Sequence, residues 1–101
     1  MIVETDSGTY NVEFSLESMK RMELTGLRPL KIMDQAGEDP MNIMVTDMTA
    51  MLDVCATPQG NNMPMFSVSL EASGFGLGDI MEIFAEVFTK SPFLTNRRLR
   101  R

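Results

Sequence analysis

The sequence contains no histidine and no tryptophan, and Cys55 is its only cysteine. Without histidine the chain lacks the commonest general base, the usual zinc ligand and the simplest pH switch. A single cysteine excludes an internal disulfide, and its place on the apolar side of a predicted helix favours a buried, unreactive thiol. We therefore predict no enzyme activity, no catalytic residue, no metal site and no cofactor.

Long apolar runs are also absent. No stretch approaches the about 18–20 residues of a membrane span, and the N-terminus lacks the basic and then apolar pattern of a signal peptide. Basic residues are scarce over most of the chain: four of the nine are Arg97, Arg98, Arg100 and Arg101, so residues 1–96 hold five basic against fourteen acidic side chains, a net charge of −9. We expect a cytoplasmic protein that avoids membranes, and this acidic body does not favour nucleic acid.

The length of 101 residues, 44% of them hydrophobic, fits one core. We predict a single domain over residues 1–92 and a basic, flexible tail over residues 93–101. A β-hairpin is predicted at the N-terminus, where Ile2–Thr5 and Tyr10–Phe14 mix β-branched, aromatic and polar residues around a turn of Asp, Ser and Gly. Its unpaired edge is a first candidate binding surface.

The central element is a predicted helix from Pro40 to Ala56, with Asp39 as its N-cap. Apolar residues recur at three- and four-residue steps and give the helix a broad apolar face that needs partners. The members of this face are Met41, Met44, Val45, Met48, Met51, Leu52 and Cys55.

Before this helix we predict another, capped by Ser15 and stopped by Gly26. Residues 30–33 are expected to form a short helical turn or an extended link, and residues 57–62 a loop. The fold class is α+β, with an N-terminal β-hairpin packed on a small bundle of about three to four α-helices.

Towards the C-terminus, residues 66–73 fit a half-buried strand and a short helix capped by Ser67 equally well. A last helix begins with Asp79 as its cap and ends at Pro92. Between them the Gly-Phe-Gly-Leu-Gly run resembles a phosphate-binding loop, but Asp79 stands where a dinucleotide motif needs glycine. We interpret the run as a flexible hinge.

Eleven methionines are present. Helical spacing explains several as core residues, whereas a methionine-rich surface would adapt its shape to a partner. We place candidate partner-binding residues at the hairpin, in the loop before residue 66, in the glycine run and at the tail: Ile2, Tyr10, Met63, Met65, Phe66, Phe75 and Phe93.

The order of these elements resembles the tail assembly chaperones of long-tailed bacteriophages and related gene transfer particles. The resemblance covers roughly residues 1–90 and is strongest at Gly8-Thr9-Tyr10 and in the Gly-x-Gly-Asp-Ile-x-Glu-Ile stretch, Gly76 to Ile83. It implies an α+β fold and a non-catalytic function: transient binding of the hydrophobic, helical tape measure protein until tail tube protein polymerises around it. It also implies location in the host cytoplasm and absence from the mature virion.

Two alternatives to the chaperone stay open. One is an acidic, phage-encoded regulatory or inhibitor protein that blocks a basic site, and the other is a structural tail or head-tail component. Self-association, the role of the arginine-rich tail and a longer frameshifted product, which many genes of this family make, are also undecided by the sequence.

Overall fold

The computed structural model describes residues 1–38 and 43–89, which form an α+β fold with an N-terminal hairpin, as predicted. The predicted cap Asp39 and the tail 93–101 lie outside the described residues. The elements in chain order are β1 (Ile2–Thr5), β2 (Gly8–Val12), α1 (Leu16–Leu24), α2 (Pro29–Glu38), α3 (Val45–Cys55), β3 (Ala56–Pro58), α4 (Phe66–Ala72) and α5 (Leu77–Thr89).

The three strands form one antiparallel sheet with β2 in the middle. Val3 pairs with Tyr10 in the hairpin, and Asn11 pairs with Thr57 on the other side. The expectation that residues 57–62 form only a loop is therefore wrong at its start, since Thr57 and Pro58 belong to β3. Proline is tolerated there because β3 is an edge strand, where a missing outward N–H leaves no bond unmade.

Helix α1 has both of the predicted ends. The Ser15 hydroxyl accepts a hydrogen bond from the Ser18 amide at 3.2 Å. At the other end Gly26 has φ +93°, and the amides of Gly26 and Leu27 donate back to the carbonyls of Glu23 and Met22. This is a Schellman turn, which glycine stabilises because it adopts positive φ without a Cβ clash.

Helix α2 corrects the prediction for residues 30–33. These residues lie within a helix of ten residues, Pro29–Glu38, rather than in a short turn or an extended link. Proline at the first helical position is favourable, and Pro29 and Ile32 are buried one turn apart. The apolar stripe was short, which is why the sequence pattern did not reveal the helix.

Helix α3 is shorter than the predicted central helix. It begins at Val45, after an extended Met44, so the expectation of a continuous helix from Pro40 is wrong. Met44 and Val45 are exposed, at 64% and 50%, whereas the four later members of the predicted face are buried. Those four, Met48, Met51, Leu52 and Cys55, form part of the core.

Residues 66–72 are helical, and a side chain of another helix caps their N-terminus. Ser67 is not the N-cap: its amide and hydroxyl donate to the two carboxylate oxygens of Asp53 on α3, each at 2.7 Å. By helical spacing alone, Asp53 lies opposite the apolar face of the central helix. Its carboxylate instead joins α3 to α4 and satisfies an orphan amide of the α4 first turn.

The glycine run after α4, which we interpreted as a hinge, forms a hydrogen-bonded turn and the start of α5. Gly74 has φ +84°, and the amides of Gly74 and Phe75 donate to the carbonyls of Glu71 and Leu70, a second Schellman turn. Helix α5 then begins at Leu77. Asp79 is therefore inside its first turn rather than its N-cap, and its carboxylate accepts from the Gly76 amide at 3.0 Å.

The hairpin is held against α4 by polar contacts at its turn. The hydroxyls of Thr5 and Ser69 share a hydrogen bond of 2.6 Å, and the Asp6 amide donates to the Ser73 hydroxyl at 2.9 Å. On the other side of the core, the ring centroids of Phe14 and Phe88 lie 4.8 Å apart, which brings α5 onto the segment after β2.

Replacement of the Asp53 carboxylate should destabilise the fold. We expect Asp53→Ala to lower the free energy of unfolding by about 1–2 kcal/mol, because two charge-assisted bonds to Ser67 are lost. Urea denaturation measures this. The matched control is Asp34→Ala, at an exposed aspartate of α2, for which we expect a change within about 0.5 kcal/mol. Equal losses in both variants would contradict the capping role.

Candidate protein-binding surface

The thiol of Cys55 is buried and does not provide a nucleophile. Its side chain is 3% exposed, and burial raises its pKa from the ordinary 9.0 to about 12, against smaller opposing effects of the Ser18 hydroxyl and the Arg21 charge. A protonated thiol is a poor nucleophile at neutral pH. Among the described residues no group of three or more Cys, Asp or Glu side chains is arranged to hold a metal ion.

Two of the predicted partner-binding residues are core residues, which corrects the prediction for them. Tyr10 and Phe66 are 1% and 2% exposed, and their ring centroids lie 5.0 Å apart. The Tyr10 hydroxyl donates to the Pro64 carbonyl at 2.6 Å, so its polar end is also satisfied inside the protein. Both rings hold α4 and the loop before it against β2 and are unavailable to a partner.

The two loop methionines have different surroundings. Met63 is half-buried and lies over the hairpin turn: a Cβ on Gly8, whose φ is +132°, would stand 2.7 Å from the Met63 Cε. Met65 is 62% exposed, and Val68, one turn further along the chain in α4, is 53% exposed. Met63 is therefore a packing residue, and Met65 remains available at the surface.

The other predicted residues with a described position, Ile2 and Phe75, lie in different parts of the fold. Ile2 lies on the edge strand β1 and is 61% exposed. Hydrogen-bonded and non-hydrogen-bonded pairs alternate along an antiparallel ladder, and the backbone N–H and C=O groups of Ile2 and Glu4 point away from β2. Phe75 is half-buried and packs against the core from the second Schellman turn. Phe93 lies outside the described residues. Of the predicted set, Tyr10 and Phe66 are thus core residues, Met63 and Phe75 are half-buried, and Ile2 and Met65 are exposed.

A different apolar surface lies at the corner between α1 and α2. An open groove of about 530 Å³ is lined by the end of α1, the connection and the first turn of α2: Glu23, Gly26, Leu27, Arg28, Pro29, Leu30 and Lys31. Leu30 is 59% exposed, and Leu24, which ends α1, is 86% exposed. We call this surface the α1–α2 groove.

The segment that forms the groove also differs in charge from the other described residues. Every basic side chain within residues 1–38 and 43–89 belongs to the segment 20–31: Lys20, Arg21, Arg28 and Lys31. Glu23 is the one acidic residue of this segment, so its net charge is +3. The other described residues carry twelve carboxylates and no basic side chain.

Sequence reasoning missed the groove because it did not predict α2. Leu30 belongs to residues 30–33, for which the prediction is a short helical turn or an extended link. One signal was present in the sequence. Gly26 is a helix stop and Pro29 a helix start, and leucines lie on both sides of them. This order places apolar side chains at two helix ends that a tight turn joins.

Comparison of the chain with protein-family models, with curated proteins and with solved structures gives no match in any of the three. Within the described part of the chain, no helix has the length and apolar character needed to cross a bilayer.

The two loop methionines provide a matched test of these assignments. We expect Met63→Ala to lower the free energy of unfolding by about 1 kcal/mol, because the side chain packs over Gly8 and the turn. Met65→Ala should change it by no more than about 0.5 kcal/mol. Chemical denaturation of both variants measures the difference, and a larger loss for Met65→Ala would contradict the placement of the loop.

Thiol labelling tests the surroundings of Cys55. In the native protein at neutral pH we expect negligible reaction with an aromatic disulfide reagent, and complete reaction with one thiol in denaturant.

The raised pKa of Cys55 also adds stability that is complete below pH 9.0 and is lost as the pH rises towards about 12. Cys55→Ala should therefore show a shallower loss of stability over this range. Fast labelling of the native protein would contradict the burial.

Proposed function

We propose that this protein is a non-catalytic assembly chaperone that transiently holds an apolar helix of a partner. The family resemblance names that partner as the phage tape measure protein, with the tail tube protein as a later participant in assembly. The observation that supports the proposal most is the α1–α2 groove, where Leu24 and Leu30 are exposed beside a concave surface. A helix whose apolar face covers such a groove is a common mode of peptide recognition.

The size of this surface suits reversible binding. Full burial of one leucine side chain stabilises by about 1.5–3 kcal/mol, before the cost of association is subtracted. Two leucines and their apolar neighbours therefore support a weak complex rather than a permanent one. Weak binding is what an assembly chaperone requires, because it must leave when the tail tube forms. On this proposal the protein acts in the host cytoplasm and is absent from the virion.

The acidic surface supports a second candidate function, a regulatory protein that covers a basic site on another protein. Outside the segment 20–31 the described residues carry twelve carboxylates. Binding through such a surface weakens steeply with salt, whereas binding through leucines does not. A structural component of the tail, the third alternative, would remain in the finished particle.

Co-expression with the tape measure protein of the same genome tests the chaperone proposal. We expect the tape measure protein to become soluble only when this chain is present, and the complex to persist in size-exclusion chromatography at high salt. Leu24→Ser/Leu30→Ser should abolish rescue, because serine removes the exposed leucine that lines the groove, Leu30, and the exposed leucine at the end of α1, Leu24.

The control for this experiment is Val68→Ser/Leu77→Ser, which changes two side chains of similar exposure, 53% and 52%, outside the groove lining. It should retain rescue. Failure of the unaltered protein to solubilise the tape measure protein would contradict the chaperone function. Equal loss in both double variants would contradict the groove as its site.

A further inference from the structure

We infer that the segment held in the α1–α2 groove is an amphipathic helix with carboxylates beside its apolar face. This inference rests on the proposed function, because it specifies the partner of the same groove. It is carried by the position of the basic residues: Arg28 and Lys31 line the groove and are exposed, on either side of the exposed Leu30. They outnumber Glu23, the one acidic residue of the lining, so the lining has a net charge of +1. Carboxylates next to the leucine contacts of a bound helix would meet these cations at the rim.

The charge of the remaining surface makes this preference selective. The segment 20–31 has a net charge of +3 in a chain whose other described residues have a net charge of −12. Within the described residues, an acidic helix is attracted at this corner and repelled by the carboxylates elsewhere, which favours its approach to the groove. A helix with a basic polar face would meet the opposite pattern on the same residues.

The two kinds of contact have separate effects. Contacts with Leu24 and Leu30 remove apolar area from water and provide salt-independent affinity. Ion pairs at Arg28 and Lys31 are exposed at the rim, so each adds little affinity but contributes orientation, partner choice and salt dependence. Variants of the leucines therefore test binding in the groove, and variants of Arg28 and Lys31 test the preference for an acidic helix.

Two synthetic helical peptides serve as probes. Both have leucines at the same helical positions, and one has glutamates and the other lysines on its polar face. Fluorescence anisotropy of labelled peptides with the full chain, at about 50 mM and about 500 mM salt, measures the affinities. We expect the glutamate peptide to bind more tightly at low salt, and Arg28→Gln/Lys31→Gln to weaken it about fivefold and reduce its salt dependence.

The control is Thr46→Glu/Thr57→Glu, which lowers the net charge by the same two units at exposed positions outside the groove lining. It should leave the affinity of the glutamate peptide within about twofold. Equal or tighter binding of the lysine peptide would overturn the inference. An unchanged affinity in Arg28→Gln/Lys31→Gln, with loss in Leu24→Ser/Leu30→Ser, would overturn the charge preference and leave the groove in place.

Two further results are decisive. If Leu24→Ser/Leu30→Ser retains the affinity for the glutamate peptide, the groove is not the binding site and the proposed function loses its support. A second copy of this chain is the other occupant that the experiment distinguishes. Light scattering measures whether the chain dimerises. A dimer that Arg28→Gln/Lys31→Gln dissociates, in a protein that binds neither peptide, would assign the groove to self-association. That result would overturn the inference of a partner helix.

Discussion

The two hydrogen bonds from Ser67 to the Asp53 carboxylate are the interaction on which the arrangement of the elements depends. Helix α4 has seven residues, too few to be stable alone, and its N-cap Met65 provides no side-chain bond. Asp53 provides the missing acceptor from α3. Helix α4 in turn binds the hairpin turn through Ser69 and Ser73, so one carboxylate connects the helices with the sheet. Loss of this contact would affect both layers of the fold.

Short elements with well-defined ends are the general feature of this chain. No described helix exceeds the thirteen residues of α5, and β3 has three residues. Such elements gain little from their own hydrogen bonds, so their ends must be satisfied by side chains and turns. The two Schellman turns after α1 and α4 do this, each with a glycine at positive φ. Packing then holds the elements, with Tyr10 against Phe66 and Phe14 against Phe88.

Local signals in the sequence predicted the features that depend on a few adjacent residues. The hairpin, the Ser15 cap and the Gly26 stop follow from the chemistry of turns and caps, and all are present. Features that depend on distant partners were not predictable in this way. Asp53 looks like a solvent-facing residue until α4 is placed beside it, and β3 exists because β2 offers it an edge.

The candidate site also depends on distant partners that local sequence signals do not show. Tyr10 and Phe66 were chosen for aromatic character at a surface, but their pairing across β2 and α4 buries them. Leu24 and Leu30 lie on two different helices, and the sequence predicted only one of these. Their common position depends on the turn between α1 and α2, which the sequence pattern of either helix does not contain.

The short length and the hydrogen bonds of that turn explain why these leucines stay at the surface. Only residues 25–28 separate α1 from α2, and the Schellman turn at Gly26 together with Pro29 at the first position of α2 fixes both helix ends. A longer, flexible connection would let both leucines fold back onto the core, as the half-buried Leu27 does. The turn instead holds Leu30 beside the cations Arg28 and Lys31. On the proposal made above, a partner helix would bind without the entropic cost of ordering the groove.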